Sequence, residues 1–248
     1  MTIRALLLLA ACASLPAFSQ DQPAPDSAAT RTERLDFPAG GVLHLKRPLG
    51  EVVIEGWDQA GMEIAVTKTP PLVYDSEGRE KPVPAAELDR IRVTTGRQGN
   101  EIVVATAGPG RRLFPPRAPA GGISVTYRIR LPRTSGVIAD DAEGEVHIDG
   151  VSGDIRVTAA RGEITLRLPP DGQYAFDARS RAGDVISDYA GREIRRPWLV
   201  GHRFEPESAP GGHKVYLRIG FGDILISKSQ TTPLPAPIAQ PATASTGQ

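Results

Sequence analysis

The chain has 248 residues with 29 acids against 29 bases and no formal net charge, so no overall field recommends nucleic acid or an anionic membrane as partner. Aromatics make up 5% while Gly (26) and Pro (23) are plentiful, a balance that suits short strands and corners better than packed helices. No apolar run after residue 20 approaches the length of a membrane span, and the single cysteine, Cys12, excludes a disulfide framework.

Residues 1–19 read as a secretory signal: Arg4 lies in the n-region, Ala5 to Leu15 form the apolar stretch, and Ala17-Phe18-Ser19 is a small-x-small cleavage site. The mature chain is expected to start at Gln20. A competing reading lies in Leu9-Ala10-Ala11-Cys12, which has the form of a bacterial lipobox and would make Cys12 a lipidated N-terminus. Only seven residues separate Arg4 from Cys12, and so short an apolar stretch favours ordinary cleavage. Residues 20–34 are rich in Ala, Pro, Asp and Ser without periodicity and read as a flexible leader.

A single domain is expected over 35–228. Leu35-Asp36-Phe37 and Leu43-His44-Leu45 alternate, Gly50 to Trp57 gives a glycine-led strand, and Met62, Ile64 and Val66 share one face of the next. Pro70 to Pro84 breaks the pattern and reads as a surface insertion, followed by one helical turn from Ala85. Ile91 to Thr95 and Ile102 to Thr106 read as strands joined by the turn from Gly96 to Asn100. Gly108 to Gly122 is a loop, and Ile123, Val125, Tyr127, Ile129 and Leu131 then define one face of a very regular strand. A second insertion is expected from Arg192 to Gly212, and residues 229–248, rich in Pro, Ala, Thr and Gln, read as a disordered tail.

Between Gly144 and Ser187 one phrase recurs: Gly, an acid, an aliphatic, any residue, an aliphatic. It reads Gly144-Glu145-Val146-His147-Ile148, Gly153-Asp154-Ile155-Arg156-Val157 and Gly162-Glu163-Ile164-Thr165-Leu166, with steps of nine residues. Weaker echoes begin at Gly172 and Gly183, and Gly222-Asp223-Ile224-Leu225-Ile226 restates it. Each phrase is a short strand of period two, so Val146, Ile148, Ile155, Val157, Ile164 and Leu166 are expected inside, with Glu145, His147, Arg156 and Thr165 outside. If two phrases make one turn, residues 18 apart stack, placing Val146 over Ile164, His147 near Thr165 and Glu145 over Glu163. The expected fold is all-β, a parallel β-solenoid of about nine-residue repeats with two loop insertions.

This phrase, preceded by a strand closing in Leu131-Pro132 in a chain with an export signal, resembles the bacterial DUF4097 family over roughly Leu35 to Lys228. Its members are described as adhesin-like β-strand-repeat proteins. The resemblance implies a parallel β-solenoid at the cell surface and carries over no catalytic residue.

The chemistry-bearing motifs are sparse. Gly150-Val151-Ser152-Gly153 is one residue short of a nucleophile elbow, and no phosphate-binding glycine loop or paired-His zinc motif occurs. His44, His147, His202 and His213 are scattered, without ligand-spaced partners, and read as surface or loop histidines. No catalytic, cofactor-binding or metal-ligating residue is therefore assigned. The densest basic cluster, Arg111, Arg112 and Arg117 with Arg128 and Arg130, is a candidate contact for an anion or acidic glycan. The expected function is a non-enzymatic, exported envelope module that contacts an unidentified protein or glycan and no nucleic acid. The alternatives are a carbohydrate-active β-helix enzyme and an envelope-stress sensor.

Overall fold

A computed structural model describes residues 29–71, 73–74, 76–78, 80–81, 85–108, 123–195, 201–206 and 212–229. Its strands begin with β1 (Ala29–Leu35), β2 (Val42–Lys46), β3 (Leu49–Trp57) and β4 (Met62–Thr69). A small pair, β5 (Val73–Tyr74) and β6 (Glu80–Lys81), and the one-turn helix α1 (Ala85–Leu88) fill the first insertion. Then come β7 (Arg92–Gln98), β8 (Glu101–Ala107), β9 (Ser124–Pro132), β10 (Gly136–Asp149) and β11 (Ile155–Leu168). The chain closes with β12 (Tyr174–Ala182), β13 (Val185–Ser187), β14 (Gly191–Arg195), β15 (His202–Pro206) and β16 (His213–Lys228).

All strands except β5 and β6 belong to one sheet, which bends along a line of glycines. β10 shows how. Its first half, Gly136 to Asp140, pairs with β2, and its second half, Glu143 to Asp149, pairs with β3. Buried positions are odd at first (Val137, Ala139) and even from Ala142 on (Val146, Ile148), the change falling just before Gly144 where the register slips and Asp141 takes φ +55°. The same change of parity occurs in β11, from Ile155 and Val157 to Ile164 and Leu166, and in β16, from Val215 and Leu217 to Ile224 and Ile226. Strict alternation would carry half of these side chains out into water beyond the corner. The shift keeps both halves facing one apolar interior.

The corner glycines, Gly50, Gly144, Gly162, Gly222 and Gly183, stack on successive strands. A Cβ on Gly162 would enter the Gly144 carbonyl, and one on Gly222 would enter that of Gly162. Their φ values, +122° and +129°, are also ones that side chains disfavour, so only glycine fits the bend. The repeat phrase is thus a corner followed by a strand.

The expected register is present. β10 and β11 are parallel, with Val146 opposite Ile164, His147 opposite Thr165 and Glu145 opposite Glu163. All six aliphatic residues expected inside are 0–1% exposed. Glu145 and Arg156 are exposed, and His147 and Thr165 are half-buried.

Four expectations are corrected. The sheet is mixed rather than purely parallel: β4 runs antiparallel to β1 and β9, β7 to β8, and β15 to β12 and β14. The β7–β8 link, Gly99-Asn100, is a hairpin turn, far too short for a parallel crossover. Winding is not sequential either, because β16 lies between β11 and β12. Gly222 rather than Gly172 therefore follows Gly162 in the corner. Part of the presumed leader is structured, since Ala29–Leu35 pairs along its length with β4. That strand is largely exposed and shows no apolar alternation, so backbone pairing rather than burial holds it and periodicity could not reveal it. Finally, the second insertion contributes β15 to the sheet and Phe204, 2% exposed, to the interior. Residues 1–28, including the signal and Cys12, and 230–248 of the tail lie outside the described residues.

Replacing Ile155 with Ala should cost about 2–5 kcal/mol in a urea titration, whereas Arg156→Ala should cost about 0.5 or less. Equal effects would refute the register. Gly162→Ala should cost about 3 kcal/mol or more or prevent folding, because strain and overlap combine. Gly96→Ala, where a Cβ meets nothing within 4 Å, should leave the melting temperature nearly unchanged.

Candidate functional site

With the interior filled, the surfaces the fold presents are the outward rows of the sheet, in which each strand places one side chain beside its neighbour's at about 4.8 Å. Of the five arginines singled out in the sequence, Arg111, Arg112 and Arg117 lie outside the described residues. Arg128 and Arg130 are exposed on β9. Arg130 joins a ladder of opposite charges, with Nε 3.2 Å from Glu55 and Nη1 3.9 Å from Glu63, which in turn accepts from Arg34 at 2.8 Å. Arg128 sits between Val53 and Ala65.

One residue past the corner, Glu51, Glu145, Glu163 and Asp223 stand side by side on β3, β10, β11 and β16. Each takes a different partner. Glu51 accepts from Thr126 at 3.3 Å, Glu145 lies 3.3 Å from His147, Glu163 accepts from Thr165 at 2.8 Å and Asp223 accepts from the Asp184 amide at 2.8 Å. The carboxylates splay rather than converge. Among the described residues no group of three or more His, Cys, Asp or Glu side chains is arranged to hold a metal.

The histidines look isolated in the sequence, yet each meets a carboxylate in the structure. His44 has Nδ1 2.6 Å from Glu101 and Nε2 2.9 Å from Asp140, tying β8, β2 and β10 together. His202 lies 2.7 Å from Asp184 and His213 3.5 Å from Asp154. The partners are 57, 96, 18 and 59 residues away, respectively, so only strand pairing brings them together.

A shallow groove of about 420 Å³ runs between β1 and β7, lined by Leu35 and Ile102 with Glu33, Arg34, Asp36 and Arg97. Its acids are paired with neighbouring cations, Glu33 with Arg31 and Asp36 with Arg97.

The outward residues of β11, β16, β12 and β15 form a second charged field, which the sequence reading missed. Tyr216 lies between Arg156 and Asp177 in one cross-strand row, and Thr158, Arg218, Arg179 and Arg203 form the next. The Arg218 guanidinium rests on the Tyr216 ring, 4.0 Å from its centroid, with that of Arg156 at 5.2 Å. Arg218 donates to the Asp177 carboxylate and, at 2.7 Å, to the Asp177 carbonyl. Burial pushes the Asp177 carboxyl up, but the hydrogen bond and charge of Arg218, helped by Arg179 and Arg203, outweigh it and hold the group below the usual carboxylate value. Asp177 and Arg179 lie on β12, and Tyr216 and Arg218 lie on β16. Their meeting depends on β16 entering beside β12, which no local pattern announces.

The lowered Asp177 pKa means that its pairing stabilises the fold fully above the ordinary value of 3.8 and that this contribution is lost as pH falls through the lowered value. Asp177→Asn should therefore melt below the wild type at pH 7, and the gap should close as pH drops beneath about 3.8. Melting curves across pH test this. Glu163→Gln should shift stability by only a few tenths of a kcal/mol, and millimolar calcium should leave the wild-type melting temperature unchanged.

No family model matches the chain, and no curated protein matches it. Among solved structures, it is similar to a candidate cell adhesion protein from Clostridium sporogenes, at 13% identity and a TM-score of 0.43, covering 82% of this chain and 100% of that one. A candidate adhesin from Bacteroides fragilis overlaps 81% of this chain and 97% of its own, at 12% identity and a TM-score of 0.37. A third, a candidate adhesin from Parabacteroides merdae, overlaps 82% of each chain at 10% identity, with a TM-score of 0.25.

Proposed function

We propose that this chain is an exported, non-enzymatic interaction module of the cell envelope, and that its partner is a protein or glycan held on the outer face of the sheet. The observation that carries this reading is the division of labour between the two sides of each strand. The central strands turn their aliphatic side chains to the interior, while outward they carry two strand-spaced charged rows, Glu51-Glu145-Glu163-Asp223 and Arg218-Arg179-Arg203, beside rows with little charge such as Val53-His147-Thr165-Leu225. Such rows suit a repeated or extended partner better than a small substrate, which calls for a concave, largely apolar pocket. We read the parallel central strands as a solenoid-like roll flanked by antiparallel strands, in keeping with the resemblance to the DUF4097 family. The signal-like residues 1–19 support export. No described helix is long and apolar enough to cross a membrane.

Expression of the full chain in a bacterial host, followed by fractionation and mass spectrometry of the mature N-terminus, tests the address. Material in the envelope or medium that begins at Gln20 and carries no lipid is expected. Retention in the cytoplasm would refute export, and a diacylglyceryl Cys12 would replace free secretion with membrane anchoring. Release of reducing ends from any polysaccharide by the purified chain would overturn the non-enzymatic reading.

A further inference from the structure

The geometry points to the arginine rows on β16, β12 and β15 as a binding site for a carboxylate-bearing polysaccharide, a uronic acid polymer. This rests on the interaction-module reading and names the ligand class and the site.

Arg218, Arg179 and Arg203 stand directly opposite one another on three adjacent strands. Like charges in that relation repel, and natural sheets normally set opposite charges there, as this one does around Arg130. Asp177 serves Arg218 and lies 3.3 Å from Arg179 Nε, at an angle that makes an ion pair but no hydrogen bond. Glu205 takes one arm of Arg203, at 3.1 Å. The Nε donors of both Arg179 and Arg203 are buried and have no hydrogen-bond acceptor. Their side chains are 40% and 37% exposed, so both guanidinium groups reach solvent in part although their Nε atoms are covered. Three guanidinium groups thus share two carboxylates, Asp177 and Glu205, and the Asp177 Oδ1, like the two Nε atoms, is buried without a hydrogen bond.

The shape of the deficit selects the ligand. A guanidinium fork matches the two oxygens of a carboxylate in one plane. The arginine row crosses the strands at about 4.8 Å per step, close to the advance of one sugar in an extended pyranose chain, so carboxylates recurring along a polymer meet successive arginines. A membrane surface fits less well, because Asp177 and Glu205 interrupt the field. The exposed apolar side chains, Phe221 and Ile186, lie at the corner and on the other half of the sheet. A single-stranded nucleic acid would want a free aromatic face, and here Arg218 covers the Tyr216 ring.

Titration calorimetry of the full mature chain with polygalacturonate, with dextran as the neutral control, tests the site. Polygalacturonate should bind, more weakly as salt rises, and dextran should not. The Arg179→Gln/Arg203→Gln double variant should lose about tenfold or more in affinity while circular dichroism and melting confirm its fold. Arg34→Gln, in the ladder on the other half of the sheet, should change affinity by about twofold or less. Absence of wild-type binding, or equal binding by the double variant, would overturn the proposal. So would binding to phosphatidylglycerol vesicles or oligo-dT in place of polygalacturonate. If the chain is nevertheless found at the envelope, the ligand assignment fails and the interaction-module reading survives.

Discussion

At the corner of the central strands backbone meets backbone so closely that no Cβ can be inserted between Gly144 and Gly162, or between Gly162 and Gly222. This exclusion shapes the rest of the molecule. A strand that bends there must shift its alternation by one residue, and only then do Val146, Ile164 and Ile224 face the same interior as Val137, Ile155 and Val215. Sheets of this length otherwise twist and leave one face to be covered by something else. Folding the sheet over itself lets it supply its own cover.

The same register that stacks the glycines also stacks their neighbours. Because parallel strands place identical phrases side by side, whatever follows the glycine is repeated across the sheet, and an acid in second position becomes a row of four acids. Repulsion in that row is relieved locally, through His147, Thr126, Thr165 and the Asp184 amide, near the corner where water screens it. A parallel repeat thus converts a short phrase into a surface property.

The strand that enters out of sequence has the opposite effect. β16 carries a corner glycine and a parity shift, so it fits against β11 as well as a consecutive repeat would, and it displaces β12 outward. That displacement sets Asp177 and Arg179 beside Tyr216 and Arg218, and lets β15 bring Arg203 to the same row. The charged field on this side comes from topology rather than repetition, and it shows none of the regularity of the acidic row.

The sequence alone carried the local rules: glycine corners, period-two strands, the inward aliphatic set and the 18-residue stacking of Glu145 on Glu163, because each follows from backbone geometry within a few residues. It also located the regular strand from Ile123 to Leu131 and its outward Arg128 and Arg130. It could not disclose the neighbours of His44 or Arg130, whose partners sit on strands brought alongside by pairing, nor the strand at Ala29–Leu35, whose side chains bury little. Above all it could not order the strands. Gly172 and Gly222 both state the phrase, yet Gly222 stacks on Gly162 while Gly172 is crowded by Tyr174. That choice belongs to tertiary structure, because it turns on whether an entire bent strand, Val215 to Ile226, fills the interior on both sides of its corner. Tyr174–Ala182 lines one side only, and needs Gly183 and Val185–Ser187 to complete the turn.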